Sequence, residues 1–388
     1  MPQLTEPSNL PPAPYAGGSH VMVGTTLRQT VRITAGGSRF RLRLNNVFGG
    51  AALPITAASV AFPAGGRAGA GDIEAGSATA VSFGGRPSVT VPAGREAISD
   101  PLGLTAASGS NLTVTLYLAA GQASNKITSH PGSRTTSHLV KGDHLTDVSL
   151  SATTAVDHWY FLSGLDVSAP EGTGAVVALG DSLTDGRGST TNGNDRSTTA
   201  GCSPEELSPS RCGWPDRLFD RSGIAVANAA AGGNAVLSGG LGPTAVSRFD
   251  RDVLGVTGVR WLIVFEGVND LGAGSAGTAD DLTAAYRQFI AKAHAAGITA
   301  YGATITPFGG SGYDDAAGTH EAARRRVNSW IRAGDEFDAV LDFDLVVRDP
   351  SHPHRLLPGY DSGDHLHLNP AGYEALADSV PLTLFAAT

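Results

Sequence analysis

The chain has 388 residues, a formal net charge of −9 and 41% hydrophobic residues. This length favours two domains over one, and the apolar content is enough for two cores. The negative charge argues against nucleic acid or an anionic membrane surface as the main partner, and no run of about 18 apolar residues is present to span a membrane.

The first half of the chain predicts an all-β domain. Residues 1–20 are rich in Pro, Gly and Ser and are predicted to form a loosely packed leader. From Thr25 to about Leu165, short runs with period-two alternation are separated by turn clusters, which indicates an antiparallel β-sandwich, jelly-roll-like in type. The predicted strands include 27–33, 39–44, 58–62, 88–91, 112–118 and, as the last, 158–162. A linker is predicted at 167–174.

After Gly174 the pattern changes to apolar runs that alternate with helical segments. The predicted strands are 175–181, 224–229, 260–266, 298–305 and 339–346, and the predicted helices are 214–222, 243–254, 279–296, 318–333 and 370–380. Repeated βα units predict a parallel sheet covered by helices on both faces. We therefore expect an accessory β-sandwich domain at 1–170 and an α/β domain at 171–388.

The first predicted strand of the α/β domain ends in Gly180-Asp181-Ser182. A serine at this point stands at the carboxyl edge of a parallel sheet, where open α/β folds bind ligands. We interpret Ser182 as a nucleophile. The chain has no Gly-x-Ser-x-Gly motif, so the α/β-hydrolase fold is excluded.

A base for this serine is predicted just before the last helix, in the segment 361–370, which holds two histidines and two acids. An Asp three residues before a His can accept a hydrogen bond from Nδ1–H, which leaves Nε2 free to take the serine proton. We therefore predict His367 as the base and Asp364 as the residue that orients it. A metal site at His365 and His367 is the less favoured alternative, because no partner motif of acids or histidines is evident elsewhere.

Two further loops offer hydrogen-bond donors for a negatively charged oxygen that develops during reaction. The loop 228–234 follows the second predicted strand, and its small residues allow a backbone N–H to approach a substrate closely. The loop after the third predicted strand contains Asn269, whose amide can donate. Either loop alone is weak evidence, because Gly and Asn are ordinary turn residues.

Together, these four segments resemble the SGNH/GDSL hydrolases in motif type, chain order and strand context over residues 175–380. The resemblance implies a flavodoxin-like α/β/α sandwich and a serine carboxylic-ester hydrolase that needs no metal or cofactor. By motif position it assigns Ser182, Asp364 and His367 to the catalytic triad. The oxyanion donors it implies are the Ser182 N–H, a backbone N–H that we place at Ala230, and the Asn269 side chain. Ala230 departs from the family, which usually has Gly there.

A long polar stretch follows the nucleophile, and we predict that it forms a wall of the substrate groove. The tentative substrate-binding residues are Asp181, Arg187, Asp195 and Arg196. The alternative is a solvated surface loop.

Cys202 and Cys212 bracket a polar segment within this stretch. We predict a disulfide, which in the chain-entropy model would stabilise the fold by roughly 3 kcal/mol; two unrelated thiols are the alternative. A disulfide requires an oxidising compartment. Residues 1–7 contain no signal-like region, so the protein is either cytoplasmic or exported with its signal removed. The cysteine pair favours the second location, secreted or periplasmic.

The β-sandwich placed before the α/β domain is similar to the arrangement of two-domain bacterial carbohydrate esterases. This resemblance implies removal of short acyl groups, mainly acetyl, from a small-molecule or polysaccharide ester, with the sandwich either binding substrate or serving as a brace. Three alternatives are kept: a lipase-like esterase for longer acyl or aryl esters, an acyltransferase, and a non-catalytic carbohydrate-binding protein.

Overall fold

The computed structural model describes residues 2–189, 213–274 and 277–386. Two separate hydrophobic cores occur in this part of the chain. One is formed by residues between Tyr15 and Leu162, and the other by residues between Val176 and Phe385. Within the described ranges, every helix is too short or too polar to cross a membrane.

The first core lies among antiparallel strands. These strands are β1 (Gln3–Leu4), β2 (Ala16–Gly17), β3 (His20–Val21), β4 (Thr25–Arg32), β5 (Gly37–Asn45), β6 (Leu53–Ile55), β7 (Ala57–Ala61), β8 (Thr79–Ala80), β9 (Val89–Val91), β10 (Glu96–Ile98), β11 (Leu102–Ala106), β12 (Asn111–Leu118), β13 (Thr128–His130), β14 (Ser137–Lys141), β15 (Thr154–Val156), β16 (Trp159–Tyr160) and β17 (Leu162–Val167). The largest sheet has the order β15-β14-β4-β12-β7-β8, and a second sheet is built on β5, which pairs with β10, β11 and β17.

Alternating side chains explain how these two sheets share one core. Leu27 and Val31 of β4 point inward with Leu112 of β12, whose register with β4 is antiparallel over their full lengths. Leu42 and Leu44 of β5 are buried in the same core. The prediction of an antiparallel, β-rich first half is confirmed.

Two details of this half differ from the prediction. Within the predicted leader 1–20, the described residues 2–20 are not loosely packed, because Gln3 is buried in β1, which pairs with β13, and Thr5 Oγ1 donates to the Ile127 carbonyl at 2.9 Å. Backbone pairing at a sheet edge thus orders a segment with few apolar residues. The last predicted strand is split by Phe161, whose φ is 60°, and β17 continues to Val167, so the connection to the second half starts one residue later than predicted.

The second core surrounds a parallel sheet. Its elements are β18 (Ala175–Gly180), α1 (Ser182–Asp185), α2 (Trp214–Ser222), β19 (Ala225–Ala230), α3 (Ala245–Phe249), which continues as a π-helical turn (Asp250–Leu254), β20 (Val259–Phe265), α4 (Val268–Gly272), α5 (Thr278–Ala295), β21 (Thr299–Ala303), α6 (Thr319–Ala333), β22 (Ala339–Leu341), α7 (Phe343–Val347) and α8 (Pro370–Ser379). The strand order is β19-β18-β20-β21-β22, the flavodoxin-like order. The helices contact one another in two groups, α2, α7 and α8 in one and α3 to α6 in the other, as the covered parallel sheet requires.

The predicted strand 339–346 is wrong in its second half, where α7 follows β22 directly. Asp342 ends the strand because its side chain accepts from the Leu345 N–H at 3.2 Å and so caps α7. The short helices α1 and α4 were also not predicted. Both begin at the carboxyl ends of strands, and they carry Ser182 and Asn269.

Candidate active site

Ser182 is the first residue of α1, a single helical turn that follows the end of β18. The Asp181 side chain caps this turn by accepting from the Leu183 N–H at 2.9 Å. Gly180 allows the close approach on which this geometry depends, since a Cβ there would lie 2.2 Å from Thr184 Oγ1. The strand-to-helix turn therefore fixes the backbone of Ser182.

A continuous chain of hydrogen bonds links Ser182, His367 and Asp364. Ser182 Oγ lies 2.8 Å from His367 Nε2, and His367 Nδ1 lies 2.6 Å from Asp364 Oδ2. The His367 N–H also donates to Asp364 Oδ1 at 2.8 Å, which fixes the ring in position. Because a carboxylate faces Nδ1, the neutral ring carries its proton there and leaves Nε2 free to accept. The arrangement can deprotonate the serine hydroxyl.

The charge of Asp364 is stabilised locally. Burial acts to raise the pKa of this carboxyl, but the hydrogen bonds from the His367 ring and from the backbone N–H groups of Leu366 and His367 outweigh it, and the pKa lies well below its ordinary value of 3.8. Asp364 is therefore ionised at neutral pH, as an acceptor for Nδ1–H must be.

This lowered pKa gives a testable dependence of stability on pH. A carboxyl whose pKa is lower in the folded state stabilises the fold above its unfolded pKa, and that contribution is lost as the pH falls through the folded pKa. The difference in melting temperature between wild type and Asp364→Asn should therefore shrink as the pH is lowered from 5 toward 2.5. Calorimetric scans across this range measure it, and a difference that stays constant down to pH 2.5 would contradict the ionised pair.

Two groups with amide hydrogens to donate follow the ends of the adjacent parallel strands β18 and β20. The Ser182 N–H has no acceptor among the described residues, as expected at the first position of a helix. Asn269, near the start of α4, donates from Nδ2 to the Asn234 carbonyl at 2.7 Å and accepts at Oδ1 from the Tyr313 hydroxyl at 2.6 Å. Its second Nδ2 hydrogen is left for a substrate oxygen.

The structure corrects the expected third donor. The Ala230 N–H donates to Asn228 Oδ1 at 3.0 Å, and Ala230 is fully buried, so this N–H is not available to a substrate. The N–H groups of Gly232 and Gly233, which follow in the same loop, have no acceptor among the described residues. We therefore move the proposed donor to this glycine pair, where the missing side chains leave the backbone accessible.

Tyr313 is a site residue that the sequence analysis missed. It lies in the loop after β21, at the same edge of the sheet as the loops that carry Ser182 and Asn269. The position of this loop in the βα pattern was the available signal, because the carboxyl ends of parallel strands share one edge. By donating to Oδ1, the Tyr313 hydroxyl fixes the orientation of the Asn269 amide.

Removing the Tyr313 hydroxyl should weaken catalysis, and it should do so only by its effect on Asn269. We expect Tyr313→Phe to lower kcat about 3- to 10-fold, the value of one hydrogen bond, and Asn269→Ala to lower it roughly 10²- to 10³-fold. In the Asn269→Ala background, Tyr313→Phe should have no further effect. Steady-state kinetics of the four proteins measures the coupling, and additive losses would contradict an action through Asn269.

Arg248 is the second residue that the sequence analysis missed, and it bonds to the strand ends and the loop from which the site is built. Its side chain is 0% exposed. It donates to the carbonyl oxygens of Gly180 and Ala229 at 3.1 and 2.6 Å, to Asn234 Oδ1 at 2.8 Å, and to the Glu266 carboxylate at 3.2 Å. These acceptors belong to the ends of β18 and β19, the loop after β19 and the end of β20. One guanidinium thus forms hydrogen bonds at the base of each of the three loops that carry Ser182, the glycine pair and Asn269.

Several carboxyl groups are buried around this cation. Burial raises the pKa of Glu266 to about 7, although Arg248 opposes the shift. Burial also raises the pKa of Asp181, and the charge of Glu266 adds to that shift. Asp270 accepts from the N–H groups of Val236 and Leu237 at 2.8 and 2.9 Å, so it orders the loop after β19.

The predicted substrate-binding residues have different outcomes. Asp181 is 1% exposed and caps α1, so the prediction that it contacts substrate is wrong. Arg187 is exposed just after α1, and its role stays a prediction. The remaining residues of that stretch lie outside the described residues: Asp195, Arg196, Cys202 and Cys212.

The family model described as GDSL-like Lipase/Acylhydrolase matches residues 178–375, just over half of the chain. No curated protein matches it.

Three similar solved structures have low TM-scores. A lipolytic protein of the G-D-S-L family from Desulfitobacterium hafniense is 23% identical, with 53% of this chain and 96% of that chain covered and a TM-score of 0.39. A family two carbohydrate esterase from Cellvibrio japonicus is 13% identical, with 93% and 88% covered and a TM-score of 0.38. A carbohydrate esterase family 2 enzyme with a carbohydrate binding domain from Corynascus thermopiles is 14% identical, with 98% and 97% covered and a TM-score of 0.37.

Proposed function

Because the chain belongs to the GDSL-like lipase/acylhydrolase family and is an ester hydrolase, we propose that it works through an acyl-serine intermediate on Ser182. The observation that carries the proposal is the hydrogen-bonded chain from Ser182 Oγ through His367 to Asp364, with distances of 2.8 and 2.6 Å. A serine hydroxyl is a weak nucleophile unless an adjacent base takes its proton, and this chain supplies the base and its orienting carboxylate.

In the proposed mechanism, His367 Nε2 takes the proton from Ser182 Oγ as Oγ attacks the ester carbonyl. The carbonyl oxygen becomes negatively charged and receives hydrogen bonds from the Ser182 N–H, the glycine pair and the Asn269 amide. The C–O bond to the alcohol breaks, and the protonated His367 donates its proton to the leaving oxygen. Water, deprotonated by His367, then attacks the acyl-serine, and the acid leaves as Ser182 is restored.

We propose short acyl groups, mainly acetyl, as the preferred acid part of the ester. Large exposed apolar side chains are scattered over the described residues: Leu4, Val23, Ile98, Val148, Leu241, Val246 and Leu345. Of these, Leu241 lies beside the glycine pair, with Cδ1 2.9 Å from the position of a Cβ on Gly233. Among the described residues, these strongly exposed apolar side chains form no cluster along which a longer acyl chain could lie.

We propose a hydroxylated alcohol, such as a sugar in a glycoside or polysaccharide, as the other part. Polar groups next to the triad support it. His365 is half exposed, and its Nδ1 lies 2.6 Å from Asp361 Oδ2, which leaves Nε2 without a hydrogen-bond partner among the described residues. Hydroxyl groups of a sugar need such fixed donors and acceptors. An exported location, secreted or periplasmic, remains part of this proposal.

A series of nitrophenyl esters from acetate to octanoate tests the acyl preference. We expect kcat/KM to fall by roughly tenfold or more along the series, since a pocket that lacks apolar surface does not reward added methylenes. A rising series would instead favour a lipase-like enzyme. Release of free acetate from an acetylated polysaccharide, with product analysis in excess sugar acceptor, separates hydrolysis from acyl transfer, and no turnover on any ester would indicate a carbohydrate-binding protein.

A further inference from the structure

The N-terminal domain contacts the one-turn helix that begins with Ser182. Two residues of that domain contact the carboxylate of Asp185, the last residue of α1. They are His130, at the end of β13, and Arg134, in the turn that follows. His130 Nε2 lies 3.0 Å from Asp185 Oδ1, and Arg134 Nη1 lies 3.4 Å from Oδ2. Arg134 Nη1 also donates to the Asp185 backbone carbonyl. The contact therefore holds both the side chain and the backbone at the end of α1.

The side chains of this cluster of His130, Arg134 and Asp185 are largely buried. The Asp185 side chain is 3% exposed, and those of His130 and Arg134 are each 7% exposed. Burial lowers the pKa of His130, and Asp185 opposes the shift only in part, so the ring is neutral at pH 7. The charge of Asp185 is then balanced by Arg134, and a buried carboxylate that loses its cation is strongly destabilised.

The fit around the Asp185 carboxylate is close on two sides. A Cβ on Gly132, in the sandwich domain, would lie 1.9 Å from Asp185 Oδ2. A Cβ on Gly232, in the loop after β19, would lie 3.6 Å from the same oxygen. The carboxylate thus lies between the sandwich and the loop to which we assign an oxyanion donor. Arg134 reaches it from a left-handed backbone conformation, with φ of 49°, which side-chain-bearing residues rarely adopt.

A single helical turn has no stability of its own, so its position depends on what it packs against. On the α/β side, Asn228 Nδ2 donates to the Thr184 carbonyl at 3.0 Å and Trp214 Nε1 donates to Thr184 Oγ1 at 3.3 Å. On the other side, α1 is held by the sandwich through Asp185. Without that second contact, only one side of the turn is fixed.

We propose that the N-terminal sandwich belongs to the catalytic apparatus, with Arg134 as a positioning residue that, aided by His130, holds the Ser182 hydroxyl within reach of His367 by fixing Asp185. The inference rests on the proposed function of Ser182. It gives the sandwich a task beyond bracing, namely control of the rate at which the serine is acylated.

The test uses the full chain with Arg134→Met, which keeps the length of the side chain but removes its charge and donors. We expect kcat for nitrophenyl acetate to fall about tenfold or more, the effect of a small displacement of a reacting group, with KM changed less than about twofold. Labelling of Ser182 by a phosphonate should slow in parallel. Arg134→Lys, which restores the cation, should recover part of the loss.

A matched control removes a different contact between the two halves. Thr34 Oγ1 donates to the Val226 carbonyl at 2.9 Å and accepts from the Val226 N–H at 3.1 Å. Val226 lies near the start of β19, at the end of the strand away from the site. Thr34→Val should lower the melting temperature and leave kcat unchanged below that temperature. If Thr34→Val lowers kcat as much as Arg134→Met does, the role is general docking and the proposal is overturned.

The remaining outcomes are also decisive. Full kcat in Arg134→Met, together with an inactive Ser182→Ala, overturns the positioning role and leaves the proposed function intact. Retained activity in Ser182→Ala overturns both. If Arg134→Met does not accumulate as a folded protein, Asp185→Asn serves in its place, because it keeps the shape of the side chain. It should lower kcat with KM unchanged, and an unaltered kcat would overturn the proposal.

Discussion

Replacing Ser182 with Ala should lower kcat for nitrophenyl acetate roughly 10⁵-fold or more, the loss typical of removing a nucleophile that acts as a unit with its base. The variant should keep its melting temperature, because Ala fits the first position of α1 and the capping hydrogen bond of Asp181 is untouched. Purified wild type and variant, assayed at equal concentration with saturating ester, give the ratio. Residual activity above about one per cent of wild type would contradict nucleophilic catalysis by Ser182.

His367→Ala is the matched control for this loss. If the two residues act as one unit, the double variant should be no slower than either single variant. Multiplicative losses would mean that His367 contributes separately from Ser182. A phosphonate inhibitor should label Ser182 in wild type and fail to label it in His367→Ala, which a mass measurement of the intact chain resolves.

Arg248→Met should have the largest effect on stability. Its loss leaves the Glu266 carboxylate buried without a cation and leaves the Gly180 and Ala229 carbonyl oxygens without these donors. Breaking a buried ion pair from one side costs about 3–5 kcal/mol. We expect a decrease of this size in the free energy of unfolding at pH 8, measured by denaturant titration with circular dichroism.

The loss should depend on pH with a definite sign. The pKa of Glu266 is raised by burial from 4.5 to about 7 in the folded protein, so the folded state binds more protons than the unfolded state between these values, and this group's contribution to stability falls as the pH rises. Without Arg248 the pKa rises further. The deficit of Arg248→Met should therefore be smaller at pH 5.5 than at pH 8. Glu266→Gln in the same background should remove this dependence, and an equal deficit at both pH values would contradict the buried pair.

The sequence was sufficient for features that local pattern determines. The alternation in β4 and β12 and the apolar run of β18 predicted their strands, and the spacing of Asp364 and His367 predicted a pair that the structure brings to 2.6 Å. A contact over three residues depends on one local turn. For this reason it can be read from sequence alone.

The features that the sequence did not predict depend on longer-range contacts. Whether the Ala230 N–H is available is decided by the rotamer of Asn228, which no residue pattern encodes. Arg248 lies in the predicted helix 243–254, and its burial cannot be read from that segment, because the carbonyl oxygens and the Glu266 carboxylate that surround it come from other parts of the chain. The contact of Arg134 with Asp185 joins residues 51 positions apart, in two segments that predict separate folds.

That last contact also bears on the order in which the protein is assembled during translation. The segment with His130 and Arg134 leaves the ribosome before α1, which begins with Ser182, and domains generally fold as units from the N-terminus. Most of the sandwich is therefore synthesised before α1, and if it folds first it provides the surface on which Asp185 and the turn before it pack. Moving the sandwich to the C-terminal side of the α/β domain would reverse this order, and α1 with Ser182 would then be synthesised before the residues that contact Asp185.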